Sequence, residues 1–161
     1  MKSVLHMIIA GMMLLAVPAF AQTDGSADTN MQILMDKVKA DKKLLVASNM
    51  DLTDAESKNF WPLYEAYQKD LQQINERLGK TIASYAEAYN QGKGSISNDT
   101  AKKLLDEAIS AEEQEVKLKR TYADKIGKVL PAAKTARYIQ IENKIRAVIK
   151  VQLAQQIPLV Y

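Results

Sequence analysis

The stretch from Leu52 to Tyr89 restricts the fold more than any other part of the chain, because its pattern is typical of one very long amphipathic helix. It begins with a capping box, in which Thr53 and Glu56 can each accept a hydrogen bond from the other residue's backbone N–H. Apolar residues then recur every three or four positions along one face. They are Phe60, Tyr64, Tyr67, Leu71, Ile74, Leu78, Ile82 and Tyr85.

A single helix over residues 54–90 has 37 residues and is roughly 55 Å long. A compact domain of about 140 residues is only roughly 37 Å across. The helix must therefore bend, or pair with a second long helix in an elongated molecule. Pro62 lies inside it, where proline removes one backbone hydrogen bond and clashes with the carbonyl of Lys58. We expect a kink, or a short turn over residues 54–60 followed by the main helix.

Residues 1–21 are typical of a cleavable export signal. Lys2 precedes an apolar run that only His6 interrupts, and the run ends at the small-x-small site Ala19-Phe20-Ala21. The run is short for a membrane span, although an uncleaved anchor is the alternative. No Cys follows it, which excludes lipid attachment of the bacterial lipoprotein kind. We expect a periplasmic protein without a membrane span after cleavage.

Removal of the signal leaves 21 basic and 19 acidic residues, a net charge of +2, and no His or Cys. This near balance gives no electrostatic footprint for nucleic acid. Without disulfides the fold must be stabilised by packing, and about 140 residues suffice for one core. We interpret residues 22–29 as a disordered lead and residues 30–161 as a single helical domain.

Three further helices are predicted around the long one. The first covers residues 31–48 and follows Asn30 as N-cap. After a glycine- and serine-rich loop, Asn98 or Asp99 caps the third helix, which runs to about residue 129. The last helix begins at Leu130-Pro131, with proline in the first turn, and runs to about residue 155.

The third helix has a thin apolar seam, since Ala111 and Glu115 lie at its centre. A thin seam with charged flanks favours an open arrangement over a deep bundle, although an ordinary solvated face explains the charges equally well. The predicted fold class is therefore all-α, with about four helices that form an elongated helical hairpin. The apolar tail, residues 157–161, is expected to dock on this chain's own core rather than on a partner.

Most catalytic constellations are absent from the mature sequence. Without His or Cys there is no triad base, no thiol nucleophile and no zinc site of the usual kind. No glycine-rich phosphate loop follows a strand, and no EF-hand spacing occurs. The neighbouring carboxylates are more simply surface charge than an acid–base pair; examples are Glu112 with Glu115 and Asp106 with Glu107. We predict no enzyme activity, no cofactor and no metal site.

A weak internal repeat links two helix starts. Leu52-Thr53 is followed by Phe60, and Leu130-Pro131 is followed at the same spacing by Tyr138. Each unit is a leucine, a helix start and an aromatic residue on the second turn. We expect two similar corners at opposite ends of a helical hairpin.

These features resemble the Spy/CpxP family of periplasmic proteins, which is named for a repeated LTxxQ motif. The first copy here is Leu52-Thr53-Asp54-Ala55-Glu56, with Glu for Gln. The second, Leu130-Pro131-Ala132-Ala133-Lys134, matches only in its leucine. The resemblance implies a thin, curved dimer that acts as an ATP-independent chaperone or modulates an envelope-stress sensor kinase. The family's metal-sensing branch uses His and Met ligands and is disfavoured here.

Three functions remain open at this point. The first is a holdase-like binding protein for unfolded envelope proteins. The second is a stress-signalling adaptor or sensor with one specific partner. The third is a structural envelope protein or an unrecognised enzyme. The candidate protein-binding residues are Phe60, Trp61, Tyr64, Tyr67, Arg137 and Tyr138, and each of them is also a plausible core residue.

Overall fold

The computed structural model describes residues 40–160. In this part of the chain all regular structure is helical, which confirms the all-α prediction. Helix α1 covers residues 40–50, α2 is Asp54–Gln91, α3 is Asn98–Ile126 and α4 is Ala132–Gln156. The predicted export signal, the lead at 22–29 and the N-terminal part of the first predicted helix lie outside the described residues.

Helix α2 has the start and length that its sequence pattern predicts. The Thr53 hydroxyl accepts from the N–H of Glu56, and the Glu56 carboxylate accepts from the N–H of Thr53 at 2.8 Å. The helix runs without interruption through Pro62 for 38 residues, roughly 57 Å. The predicted separate turn over residues 54–60 is therefore wrong. Phe60 and Tyr64, on either side of the exposed proline, are both buried in the same core cluster.

The other helix ends differ slightly from prediction. Ser97, rather than Asn98 or Asp99, is the N-cap of α3, and its hydroxyl accepts from the N–H of Thr100. Serine is among the best N-cap residues, so this correction needs no special explanation. Pro131 directly precedes α4, as its fixed backbone angle and missing N–H allow.

Successive helices run antiparallel. Only residues 51–53 connect α1 to α2, yet Lys42, eight residues before the end of α1, bonds to Gln68, fourteen residues after the start of α2, at 2.8 Å, so α1 folds back along α2. The same reversal holds between α2 and α3, where Tyr122 bonds to Asp70 and Arg77 pairs with Glu107; a third reversal joins α3 to α4 through Arg146–Glu115 and Lys150–Glu112. Helices α2 and α4 are therefore parallel.

The apolar core lies where all four helices meet. Its buried side chains form one cluster, made of Val46, Met50, Phe60, Tyr64, Tyr67, Leu71, Tyr122, Ile126, Leu130 and Tyr138. Beyond Leu71 the interior holds fewer apolar residues, and Ala111 and Glu115 are the buried residues at the centre of α3. The predicted thin seam of α3 is therefore present. None of the helices in residues 40–160 combines the length and apolar character needed to cross a membrane.

Gly79 inside α2 and Gly92, its C-cap, predict opposite responses to alanine. A Cβ at Gly79 meets no atom within 4 Å, whereas a Cβ at Gly92 would collide with the carbonyl oxygen of Ser95. Gly79→Ala should raise the free energy of unfolding by about 0.5–1 kcal/mol, because alanine loses less backbone entropy in a helix. Gly92→Ala should lower it by about 1–3 kcal/mol through overpacking. Urea unfolding followed by far-UV circular dichroism tests both, and a Gly79→Ala protein no more stable than wild type would contradict the first.

Candidate functional site

Four of the six residues predicted to bind protein are not at the surface. Phe60, Tyr67 and Tyr138 have no exposed area, and Tyr64 retains only 3%. In this conformation they form the core, which is the alternative that the sequence analysis kept open for each of them. Only Trp61, which is half-buried, and Arg137, which is exposed, are accessible.

The buried aromatic rings contact one another edge to face. The Phe60 and Tyr138 ring centroids are 5.1 Å apart with an interplanar angle of 82°, and those of Tyr67 and Tyr122 are 5.4 Å apart at 65°. Trp61 stands edge-on to Phe60 at 5.0 Å. Pairs of this kind contribute about 0.5–1.5 kcal/mol beyond their buried area. These aromatic residues therefore pack between α2, α3 and α4.

The two motif copies lie at the same end of the molecule. Lys134, the last residue of the second copy, bonds to the Glu56 carboxylate of the first at 2.6 Å. It also donates to the carbonyl oxygen of Asp51 at 2.7 Å. The hydrogen bond from Lys134, followed by that from the backbone of Thr53, holds the pKa of Glu56 below its usual value. The prediction that the two corners lie at opposite ends is wrong, because α2 and α4 are parallel and begin side by side.

The leucines of both motif copies belong to this end too. Leu130 is 5% exposed and part of the core cluster, and Leu52 is half-buried against it. The motif residues therefore act as caps and packing groups where helices begin, and the role of Thr53 is the N-cap of α2.

A buried polar chain crosses the molecule beside the aromatic core. Glu142 has no exposed area, and its carboxylate accepts from Lys42 Nζ at 2.8 Å and from Gln68 Nε2 at 2.9 Å. Lys42 is itself 7% exposed and also donates to the Gln68 side-chain oxygen. The Tyr138 hydroxyl lies 3.4 Å from Gln68 Nε2. One carboxylate thus ties α1, α2 and α4 together.

A second buried ion pair lies further along the same interior. Arg146 bonds to both carboxylate oxygens of Glu115 and donates to the Asn75 side-chain oxygen at 2.8 Å. Burial alone would raise the pKa of Glu115, but the hydrogen bonds and charge of Arg146, with Lys119 and Lys150 nearby, outweigh it and lower the pKa. Between the two pairs the buried hydroxyl of Tyr67 has no hydrogen-bond partner among the described residues. Burial, followed by the nearby charge of Glu142, raises its pKa.

The neighbouring carboxylates noted in the sequence are all engaged with cations. Glu112 pairs with Lys150, Glu107 with Arg77, and Asp106 with Lys102 at 2.6 Å. None of these carboxylates is paired with a second carboxylate, as an acid–base pair that shares a proton would require. The residues that the structure describes also hold no group of three or more carboxylate, imidazole or thiol side chains placed to bind a metal ion.

An exposed apolar stripe on α3 was missed by the sequence analysis. Leu105, Ile109 and Val116 are 59%, 48% and 65% exposed and share one helical face, since they are spaced by four and seven residues. Leu105 and Ile109 directly follow Leu104 and Ala108, which belong to the core-facing side of α3. The sequence analysis considered that side alone and therefore did not include the exposed residues next to it. The same search for apolar residues at helical spacing, applied to the solvent-facing side of α3, would have found them.

The apolar tail is only partly docked. Pro158 accepts a hydrogen bond from the Tyr85 hydroxyl at 2.7 Å, but Leu159 and Val160 are 77% and 49% exposed. The expectation that the tail packs on the core is therefore wrong for these two residues. With α4 ending at Gln156, the chain continues in extended conformation beyond the last buried position of the helix.

Comparison of the chain with protein families, with curated proteins and with solved structures found no significant match.

The buried Arg146 should be far more important for stability than an exposed arginine of the same helix. Arg146→Met removes the partner of a buried carboxylate and should cost about 3–5 kcal/mol in the free energy of unfolding. Arg137→Met is the matched control, for which a change within about 0.5 kcal/mol is expected at an exposed position. Urea unfolding of both variants measures the difference, and equal costs would show that the Glu115 carboxylate is not sequestered.

The Glu115 pair should also make stability depend on pH. Because its pKa is lower in the folded chain than its ordinary value of 4.5, its contribution to the free energy of unfolding is complete above pH 4.5. The contribution is lost as the pH falls through the folded pKa. Glu115→Gln should therefore flatten the acid limb of a stability–pH curve, measured by urea unfolding between pH 7 and pH 3. Glu113→Gln, an exposed change on the same helix, is the control, and equal acid limbs for the two variants would refute the assignment.

Proposed function

We propose that this protein is an exported, ATP-independent holdase that binds unfolded proteins of the bacterial envelope. The observation that carries the proposal is the exposed apolar stripe on α3, formed by Leu105, Ile109 and Val116. Large apolar side chains that share one exposed face are typical of interaction sites, whereas single exposed ones are ordinary. The predicted export signal supports a periplasmic location, and the first motif copy, which resembles that of the Spy/CpxP family, supports the same function.

The charges around the stripe favour loose capture over tight docking. Lys102 and Asp106 flank its first turn, Glu112 and Glu113 lie between Ile109 and Val116, and Lys119 and Arg120 follow it. The stripe is thus divided into a Leu105–Ile109 pair and a separate Val116, and offers short apolar contacts to many sequences without burying a large area. Charged rims also speed the first encounter with oppositely charged segments. This chemistry suits transient binding of unfolded chains.

The second candidate is a signalling adaptor with a single partner. The observation that favours it is the regular helical spacing of the stripe, which also suits one amphipathic helix laid along α3. In both functions the protein acts by binding, as an elongated helical hairpin and with no catalytic role or cofactor. The family resemblance further implies a curved homodimer, with the stripe on each copy.

Aggregation of an unrelated denatured protein separates the two functions. The denatured protein is diluted into buffer with and without this one, at several molar ratios and two salt concentrations, and light scattering is followed. Sedimentation velocity of the same preparation gives the number of chains per particle, which is needed to express the molar ratios per particle. A holdase suppresses scattering near equal stoichiometry, and less at high salt. No suppression of scattering at several-fold excess contradicts the holdase function and favours the adaptor. Capture of one specific partner is then the next experiment.

The stripe itself can be tested with two triple variants of equal chemistry. Leu105→Gln/Ile109→Gln/Val116→Gln should raise the amount of protein needed for half-suppression by about tenfold, because roughly 1.4 kcal/mol of apolar contact with the client is lost. Leu44→Gln/Val151→Gln/Leu159→Gln changes three exposed apolar residues that lie on different elements. That control should behave as wild type. Equal losses in both variants would show that general surface apolarity, and not the α3 stripe, binds the client.

A further inference from the structure

Helix α1 covers the aromatic part of the core. Val46 and Met50, with 0% and 1% exposure, lie in the same buried cluster as Phe60, Tyr64 and Tyr138. The outer face of α1 is solvated, and Leu44 on it is 63% exposed. Movement of α1 away from the other helices would therefore uncover a groove lined by aromatic rings of α2 and α4. We name this the aromatic groove and define it by Phe60, Trp61, Tyr64, Tyr138 and Glu142.

The connection between α1 and α2 has the features of a hinge. It consists of residues 51–53, and Asp51 has a φ of 47°, a left-handed conformation that costs energy in a residue with a side chain. Lys134 of α4 holds this residue by donating to its carbonyl oxygen. A change at this one peptide would swing α1 while leaving the capping box of α2 in place.

The main polar anchor of α1 is a buried ion pair, and such pairs hold position more than they add stability. Lys42 reaches Glu142 and Gln68, both at 2.8 Å, and fixes the register of α1. The attraction between the charges is largely offset by the loss of their hydration. A cation supplied by another helix would satisfy Glu142 equally well. The groove therefore offers two kinds of contact to an incoming segment, aromatic rings and one buried carboxylate.

We propose that α1 is a removable lid, and that the aromatic groove beneath it binds amphipathic helical segments that imitate α1. The pattern to be imitated is a basic residue followed by apolar residues four and eight positions later, as in Lys42, Val46 and Met50. The proposal rests on the proposed function, since these segments belong to unfolded clients. It adds to the exposed stripe a second site, open only when the lid is displaced. In this proposal the buried aromatic residues contact a client only after α1 has moved away.

Hydrogen exchange of the unaltered protein tests the lid directly. Amides of residues 44–50 should exchange at least about tenfold faster than those of residues 64–71 of α2, because opening of the lid exposes α1 and leaves α2 protected. Exchange of both segments at one common rate, that of global unfolding, overturns the lid.

A peptide with the sequence of residues 40–50, blocked at both ends, tests the groove. Trp61 is the only tryptophan and lies under α1, with Lys43 Nζ 5.3 Å from its ring centroid, so its fluorescence reports occupancy. The peptide should bind Lys42→Met protein about tenfold more tightly than wild type, because the competing lid has lost its anchor. Lys43→Met is the matched control, since Lys43 is exposed and pairs with exposed Glu65. Its affinity should equal that of wild type. Because Lys43 also lies over the Trp61 ring, affinities are compared from titration midpoints and not from fluorescence amplitudes.

Two further controls keep the result interpretable. The same peptide with Val46→Ser and Met50→Ser should not bind, and binding of it would show that the contact is not with the groove. Lys42→Met/Glu142→Met removes the stranded carboxylate, so α1 should close again and peptide affinity should return towards wild type. Equal affinity of the unaltered peptide for Lys42→Met and Lys43→Met overturns the groove. If Lys42→Met fails to fold, exchange of the unaltered protein decides.

The outcome is separable from that of the proposed function. Suppression of aggregation without peptide binding overturns the groove and leaves the holdase in place. Peptide binding without suppression overturns the holdase while the groove stands.

Discussion

A carboxylate with no access to water determines how these helices fit together. Glu142 projects from α4 into the interior, where an uncompensated charge would cost several kcal/mol. Its compensation comes from two other helices, as Lys42 of α1 supplies the cation and Gln68 of α2 supplies an amide donor. Apolar packing tolerates small shifts between helices, whereas the 2.8 Å contact between Lys42 and Glu142 depends on the position of α1. The pair therefore adds a positional constraint on α1 to the packing of the aromatic cluster.

The interior has two regions of different character. Towards the motif corners it is aromatic and closely packed, with Phe60 and Tyr138 in contact. Further along it is occupied by the Arg146–Glu115 pair and by small residues such as Ala111. Where the interior offers little apolar surface, α3 carries apolar side chains on its outer face instead. Under the proposed function, stability and binding depend on different surfaces of one helix.

The long helix could be predicted from sequence almost to the residue, because its start and its end are both local signals. Thr53 and Glu56 complete a capping box within one turn, and Gly92 follows the last turn. Helical spacing also separates Phe60, Tyr64 and Tyr67, which are buried, from Trp61, which is half-buried. Spacing could not tell whether the aromatic face packs on this chain's own helices or on a partner, because that depends on where the other helices lie. The two ion pairs were missed because their partners are 100 and 31 residues apart. A signal existed, however: Lys42 and Glu142 are the charged residues that interrupt otherwise apolar faces.

The distance along the chain between Lys42 and Glu142 affects the order in which the molecule can be completed. A chain made from its N-terminus produces α1 about 100 residues before the carboxylate that will neutralise its lysine. Helices α2 and α3 can pair much earlier, since Arg77 and Glu107 are only 30 residues apart. In a fully synthesised chain the longer loop costs only about 1 kcal/mol more to close. During synthesis no such equilibrium exists, and the apolar side of α1 has no partner on α4 until the last helix is made.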